Sequence, residues 1–229
     1  MKLKIKDIME LLNVSEKTVY RWIKDSKIPA YKINGQYRFN EFEINEWMLK
    51  NKLKKHLEIS HSVLNFGRIH TNRSILEMIE KGNIFSTKHR LISDIVKELV
   101  DNATFPKYIQ KEILLEEILE RVDSILIDIG EGIAISNPKY PVIVDSENEE
   151  IVTLFLENQF EFDILDTTPL HTIFFIFSAN YERHLETLNK LTLILQSPNT
   201  FAHLKEKNIQ KFKEEVKKIE GSWKHGGNQ

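Results

Sequence analysis

The chain predicts an α/β body, a mixed sheet with flanking helices, preceded by a small winged helix-turn-helix unit. Three observations carry this. The first 50 residues read as helix, turn, helix, hairpin, helix. From Ser74 onward, amphipathic stretches alternate with apolar, strand-like runs. The charge divides near the same place: residues 1–56 hold 13 Lys and Arg against 7 Asp and Glu, and the remainder holds 19 against 27. A basic segment on an acidic body points to a polyanion as the partner of the first part alone.

Composition sets outer bounds. A length of 229 residues allows one or two domains, and 41% hydrophobic with 29% charged residues is ordinary for a globular chain. No apolar run approaches the ~20 residues that span a bilayer, and charges interrupt the apolar residues of MKLKIKDIMELL, so no signal peptide is read there. The absence of cysteine excludes disulfides, Cys-based zinc sites and thiol catalysis, and it fits a cytoplasmic location. No cofactor is implied, and His56, His61 and His70 are spaced like no metal site.

Ile5, Ile8, Met9, Leu11 and Leu12 give a first helix over residues 4–12. Asn13-Val14 breaks it. Ser15 caps a second helix with Thr18 three residues on, Glu16 in the first turn, and Val19, Trp22 and Ile23 as the apolar face. Pro29 is expected to end it. Asn34-Gly35, between Ala30–Ile33 and Gln36–Phe39, is a strong hairpin signal. Asn40 can cap a third helix holding Phe42, Ile44, Trp47 and Met48. Residues 51–73 read as a linker, with 50–57 able to extend that helix.

The body, 74–220, opens with a helix from Ser74 to Lys81-Gly82, then helices over His89–Val100 and Lys107–Val122. Strands are expected at Gly132–Ile135, Ile151–Leu156 and Leu170–Phe177, the last with a continuous Ile-Phe-Phe-Ile-Phe run suited to burial on both faces. Helices follow at Glu182–Leu195, Ala202–Glu206 and Asn208–Glu220, and residues 221–229 read as a disordered tail.

Two resemblances are carried by these residues. Val14–Ile23, Lys27-Ile28-Pro29-Ala30 and Tyr37-Arg38-Phe39 resemble the excisionase/MerR-like helix-turn-helix family over residues 3–50. That resemblance implies a recognition helix at Ser15–Lys24 lying in the major groove, with the hairpin as a wing. Lys17, Thr18, Tyr20, Arg21 and Lys24 then face outward. Arg21 suits a bidentate contact to guanine or phosphate, and Lys17, Lys24, Lys32 and Arg38 suit phosphates. DNA is the implied partner, and a homodimer is expected because two half-sites multiply few contacts. The helix around Trp47–Leu57 is the candidate contact.

Leu119-Glu120-Arg121, Gly130-Glu131-Gly132-Ile133-Ala134-Ile135, Phe162–Asp166 and His184-Leu185 resemble the type-2 (fructose/mannitol/nitrogen-type) enzyme IIA domains of the bacterial sugar phosphotransferase system, over about residues 74–208. In that family the strand continues Pro-His, and the histidine takes a phosphoryl group from a phosphocarrier protein. Here Ser136 and Asn137 stand at those positions. The resemblance places the family's flanking arginine at Arg121 and its second histidine at His184. Read plainly, Arg121 is a salt-bridge residue and His184 a surface helix-capping one. A carboxamide nitrogen has its lone pair delocalised into the carbonyl, so Asn137 is no nucleophile. The expectation is a DNA-binding, transcriptional regulator whose IIA-like domain, no longer phosphorylated at the usual position, meets phosphotransferase-system proteins or an anion. Two alternatives stay open: a phosphocarrier with residual transfer through His184 or another histidine, and an adaptor whose two units both bind proteins.

Overall fold

The structure, a computed structural model, describes residues 2–12, 14–41, 43–44, 47–48, 74–120, 126–138, 141–143, 145–158 and 168–225. The chain divides into two compact units, Met1–Arg68 and Ile69–Gln229.

In the first unit, strand β1 (Lys2–Leu3) leads into α1 (Ile5–Leu12) and α2 (Glu16–Lys24). The Ser15 side chain caps α2, accepting from the Thr18 amide at 3.3 Å. The helix stops well before Pro29. Ser26 adopts a left-handed φ of 51°, its amide donating to Ile23 and that of Lys27 to Trp22. This is the Schellman pattern, and the turn chemistry ends the helix where proline was expected to. Strands β2 (Tyr31–Ile33) and β3 (Gln36–Asn40) form the hairpin, with Asn34 and Gly35 both at positive φ, 50° and 79°. Both central residues left-handed is the two-residue turn that matches strand twist. β1 adds to the outer edge of β3 through Leu3 opposite Phe39. Helical residues follow at 41, 43–44 and 47–48. Ile8, Val19, Ile28, Phe39, Ile44 and Met48 form the core. Trp47 packs on Trp22 at 5.4 Å and donates its indole N–H to the Lys27 carbonyl.

The second unit runs α3 (Ile75–Lys81), β4 (Ile84–Thr87), α4 (Ile92–Asn102), α5 (Lys111–Leu119), β5 (Leu126–Gly130), β6 (Ile133–Ser136), β7 (Glu150–Leu156), β8 (Thr172–Phe177), α6 (Tyr181–Leu195), α7 (Pro198–Lys205) and α8 (Ile209–His225). The five strands order β4-β7-β8-β6-β5. The pairs β4/β7 and β6/β8 are parallel, and β7/β8 and β5/β6 antiparallel, so the sheet is mixed. β6, β7 and β8 are buried throughout, which explains their continuous apolar runs. One face of the sheet packs Val152, Leu154, Ile173, Phe175 and Phe177 on α4 and α5 through Ile95, Leu99, Leu114 and Ile118. The other carries α8, with Phe174 against Phe212 at 5.7 Å. Glu220 of α8 clamps the start of α3, accepting from the Ile75 amide at 2.6 Å and from the Ser74 hydroxyl. α8 continues past Glu220 to His225, with the Ser222 hydroxyl bonded back to the Ile219 carbonyl at 2.6 Å. The expected tail therefore begins as helix, and residues 226–229 lie outside the described residues.

Candidate functional site

On α2, Val19, Trp22 and Ile23 turn to the core while Lys17, Tyr20, Arg21 and Lys24 are exposed. Thr18 is half-buried, its hydroxyl 3.0 Å from that of Ser15, so it serves the cap as well as the outer face. The wing separates two of the expected phosphate contacts. Lys32 pairs across the hairpin with Tyr37, and Arg38 with Tyr31. Directly opposite residues share a face and neighbours along a strand do not. Lys32 and Arg38 therefore sit on opposite faces of the hairpin. Lys32 is exposed, whereas Arg38 is half-buried and donates to the Tyr37 carbonyl at 3.0 Å and to Gln36 Oε1 at 2.5 Å. A phosphate contact by Arg38 would have to share a guanidinium that already has two partners.

In the body, β6 runs parallel to β8, with Ile133 opposite Thr172 and Ser136 opposite Phe175. Their carboxyl ends share one end of the sheet. Asn137 follows β6 there, and Ser178 follows β8, ahead of Asn180, which caps α6 by accepting from the Arg183 amide at 3.0 Å. His184 is the fourth residue of that helix, so the first turn of α6 brings it to the end where Asn137 lies. β7 runs antiparallel to β8, placing Glu150 opposite Phe177 and Glu149 at the same end. The glycines of the Gly130–Gly132 turn are at the other end, about 13 Å away along four strand residues. They shape the sheet rather than the site. Gly130, Glu131 and Gly132 have φ of 92°, 52° and 76°, and a Cβ on Gly132 would come within 2.5 Å of the Pro169 carbonyl.

Both candidate residues at the site end are buried, Asn137 at 3% and His184 at 4% exposure. The Asn137 amide donates to the Pro138 carbonyl at 2.8 Å. The surface-cap reading of His184 is corrected: Asn180 is the cap, and His184 faces inward because the helix packs that side. The Ser136 hydroxyl is fully buried with no hydrogen-bond partner among the described residues, so none of these acts on it as a general base. Arg121 and Phe162–Asp166 lie outside the described residues.

The residue that the sequence did not single out is Arg183. It makes a bidentate pair with Glu149, Nε to Oε1 at 2.7 Å and Nη2 to Oε2 at 2.5 Å, and the Ala179 amide adds a third donor at 2.9 Å. Glu149 is 1% exposed, and the pair holds the Arg183 guanidinium above its usual pKa. The available signal was Glu149-Glu150 abutting a strand buried on both faces, since carboxylates there require partners. Glu150 is less well served: its Oε1 has no hydrogen-bond partner among the described residues, and burial raises its pKa to about 7 against an opposing pull from Lys81. Among the described residues no cluster of His, Asp and Glu could hold a metal ion, and no helix is long and apolar enough to cross a membrane.

Comparison with known proteins assigns both units. Residues 3–52 match the family described as "Helix-turn-helix domain". Residues 76–219 match "Phosphoenolpyruvate-dependent sugar phosphotransferase system, EIIA 2". No curated protein sequence matches the chain. Similar solved structures include nitrogen regulatory protein IIA-Ntr from Neisseria meningitidis, with 17% identity, TM-score 0.47, 57% of this chain and 89% of that one covered. Another is IIA mannitol from Escherichia coli, with 18% identity, TM-score 0.40, and 53% and 86% covered. The mannitol-specific cryptic phosphotransferase enzyme IIA of the same organism has 12% identity, TM-score 0.39, and 58% and 89% covered. The second family match spans more than half of the chain, and the chain belongs to that family.

Proposed function

We propose that this EIIA 2 family member is a DNA-binding regulator of transcription acting in the cytoplasm, and that its EIIA body is not phosphorylated at the family's usual position. The observation that carries the reading is the exposed basic face of α2, Lys17, Tyr20, Arg21 and Lys24, on the same chain as a strand-end Asn137. Arg21 reads a base edge or anchors a phosphate, Lys17, Lys24 and Lys32 neutralise phosphates, and two copies of the chain bind paired half-sites.

Three features support a body that receives signals rather than passing phosphoryl groups. The Asn137 amide is not a nucleophile at neutral pH and is already engaged with Pro138. Ser136 has no hydrogen-bonded base among the described residues. His184 is buried, whereas transfer from a phosphocarrier needs an accessible nitrogen in line with phosphorus. The occupant of the site end is then a phosphotransferase-system protein, or an anion held by Arg121 and His184.

Two assays test this. In gel-shift experiments on genomic fragments, the parent binds and Arg21→Ala binds markedly less; equal binding by the variant removes the recognition-helix assignment. Incubation with labelled phosphoenolpyruvate, the general phosphotransferase enzyme and its carrier protein leaves the chain unlabelled. Acid-labile label that disappears in His184→Ala establishes the phosphocarrier reading instead.

A further inference from the structure

The hairpin contains a residue that holds several of the candidate DNA contacts at once. The Tyr37 ring meets Tyr20 of α2 edge to face, centroids 5.9 Å apart at 74°. On the same hairpin face, the Lys32 ammonium lies 5.9 Å from the centre of that ring, and Lys32 and Tyr37 are direct cross-strand partners. The Tyr37 backbone carbonyl takes Arg38 Nη1 at 3.0 Å. Tyr37 itself is half-buried and packed against the first unit's core, so its own ring is fixed from behind. A ring fixed in this way can orient the groups it touches, because an edge-to-face contact and a cation over a ring face both have directional optima.

We propose that Tyr37 is a positioning residue of the nucleic-acid interface, its ring setting the attitude of the wing to the recognition helix by holding Tyr20 and Lys32. The proposal rests on the DNA-binding reading and adds to it a link between α2 and the wing. The wing's Lys32 and the helix's Tyr20 then do not sample DNA independently. Losing the ring frees both, although neither residue is itself altered. The ring and not the hydroxyl carries the effect, since both contacts are defined by the ring.

The test uses the full chain and duplexes selected from a random-sequence library by the parent. Affinity for the best selected duplex and for a shuffled one is measured over a range of salt. Tyr37→Phe is expected to match the parent. Tyr37→Leu is expected to lose about tenfold in affinity for the selected duplex, the combined scale of one aromatic and one cation–π contact. Its salt slope is expected to fall by about 0.9, the share of one phosphate contact, because Lys32 is no longer held. Lys32→Ala in the Tyr37→Leu background then lowers the slope no further. Tyr37→Leu binding with the parent's affinity and slope overturns the proposal. So does a Tyr37→Leu loss that disappears on cooling below its melting transition, which makes the residue merely structural. Failure of the parent to enrich any duplex removes the DNA-binding reading itself, a result distinct from either.

Discussion

Replacing Glu150 with Gln should make the body more stable at neutral pH. The carboxyl is 1% exposed at the start of β7, and burial raises its pKa from 4.5 to about 7. The folded state thus prefers the protonated form. The contribution of Glu150 is most favourable below 4.5 and is lost as pH rises through about 7, where the folded chain must hold a buried anion. A rise of this size corresponds to about 3 kcal/mol across that window. Glutamine keeps the shape without the charge, so Glu150→Gln should be nearly neutral at pH ~4.5 and stabilising by up to about 3 kcal/mol at pH ~8. Urea denaturation followed by far-ultraviolet circular dichroism at several pH values measures this. Lys81 opposes the rise, so Lys81→Met should steepen the parent's loss of stability with pH. A stability difference between parent and Glu150→Gln that stays constant from pH ~4.5 to ~8 would refute the reasoning.

Other expectations concern the framework of the two units. Gly132→Ala should cost about 2 kcal/mol or more, because the residue is left-handed and its Cβ meets the Pro169 carbonyl at 2.5 Å. Gly35→Ala, at a similar φ but with no atom within 4 Å, should cost only the backbone part, about 1 kcal/mol; equal losses in thermal melts would remove the contact argument. Arg183→Leu should destabilise by about 3–5 kcal/mol by leaving a buried Glu149 anion, and adding Glu149→Leu should restore most of it. A double variant as unstable as the single one would contradict this. His171, wedged between the Glu131 carbonyl at 2.9 Å and the Thr172 hydroxyl at 2.8 Å, has its pKa lowered, first by burial and further by Lys205 and Lys207. Its contribution to stability is present above the ordinary imidazole value and is lost as pH falls through its folded value. His171→Gln should therefore flatten the acid side of the stability curve, opposite in sign to Glu150→Gln, and an unchanged acid limb would count against it.

The first unit was legible because its signals are local. Ser15 as cap and Asn34-Gly35 as turn each act within a few residues, and both fold as their chemistry dictates. The caps of α3 at Ser74 and Gly82 were legible for the same reason. β4 and β5 were not, since Ile84–Thr87 and Leu126–Gly130 are short edge strands, partly exposed, with too few residues to set a period. β1, two residues long, exists only because β3 is there to pair with it. At the site end, the chemistry of Asn137 could be read from its identity. The Glu149–Arg183 pair could not, because 34 residues separate its members and only the antiparallel return of β8 on β7 brings them together. The opposed placement of Lys32 and Arg38 depended in the same way on hairpin register rather than composition.

The central claim is a basic DNA-reading unit coupled to an EIIA body that receives signals. Genome-wide mapping of bound DNA, in cells with and without an intact phosphotransferase system, addresses it most directly. The account expects discrete sites sharing a common sequence, lost with Arg21→Ala, whose occupancy changes when the phosphotransferase system is removed. Absence of discrete sites, or sites indifferent to both perturbations, would contradict it.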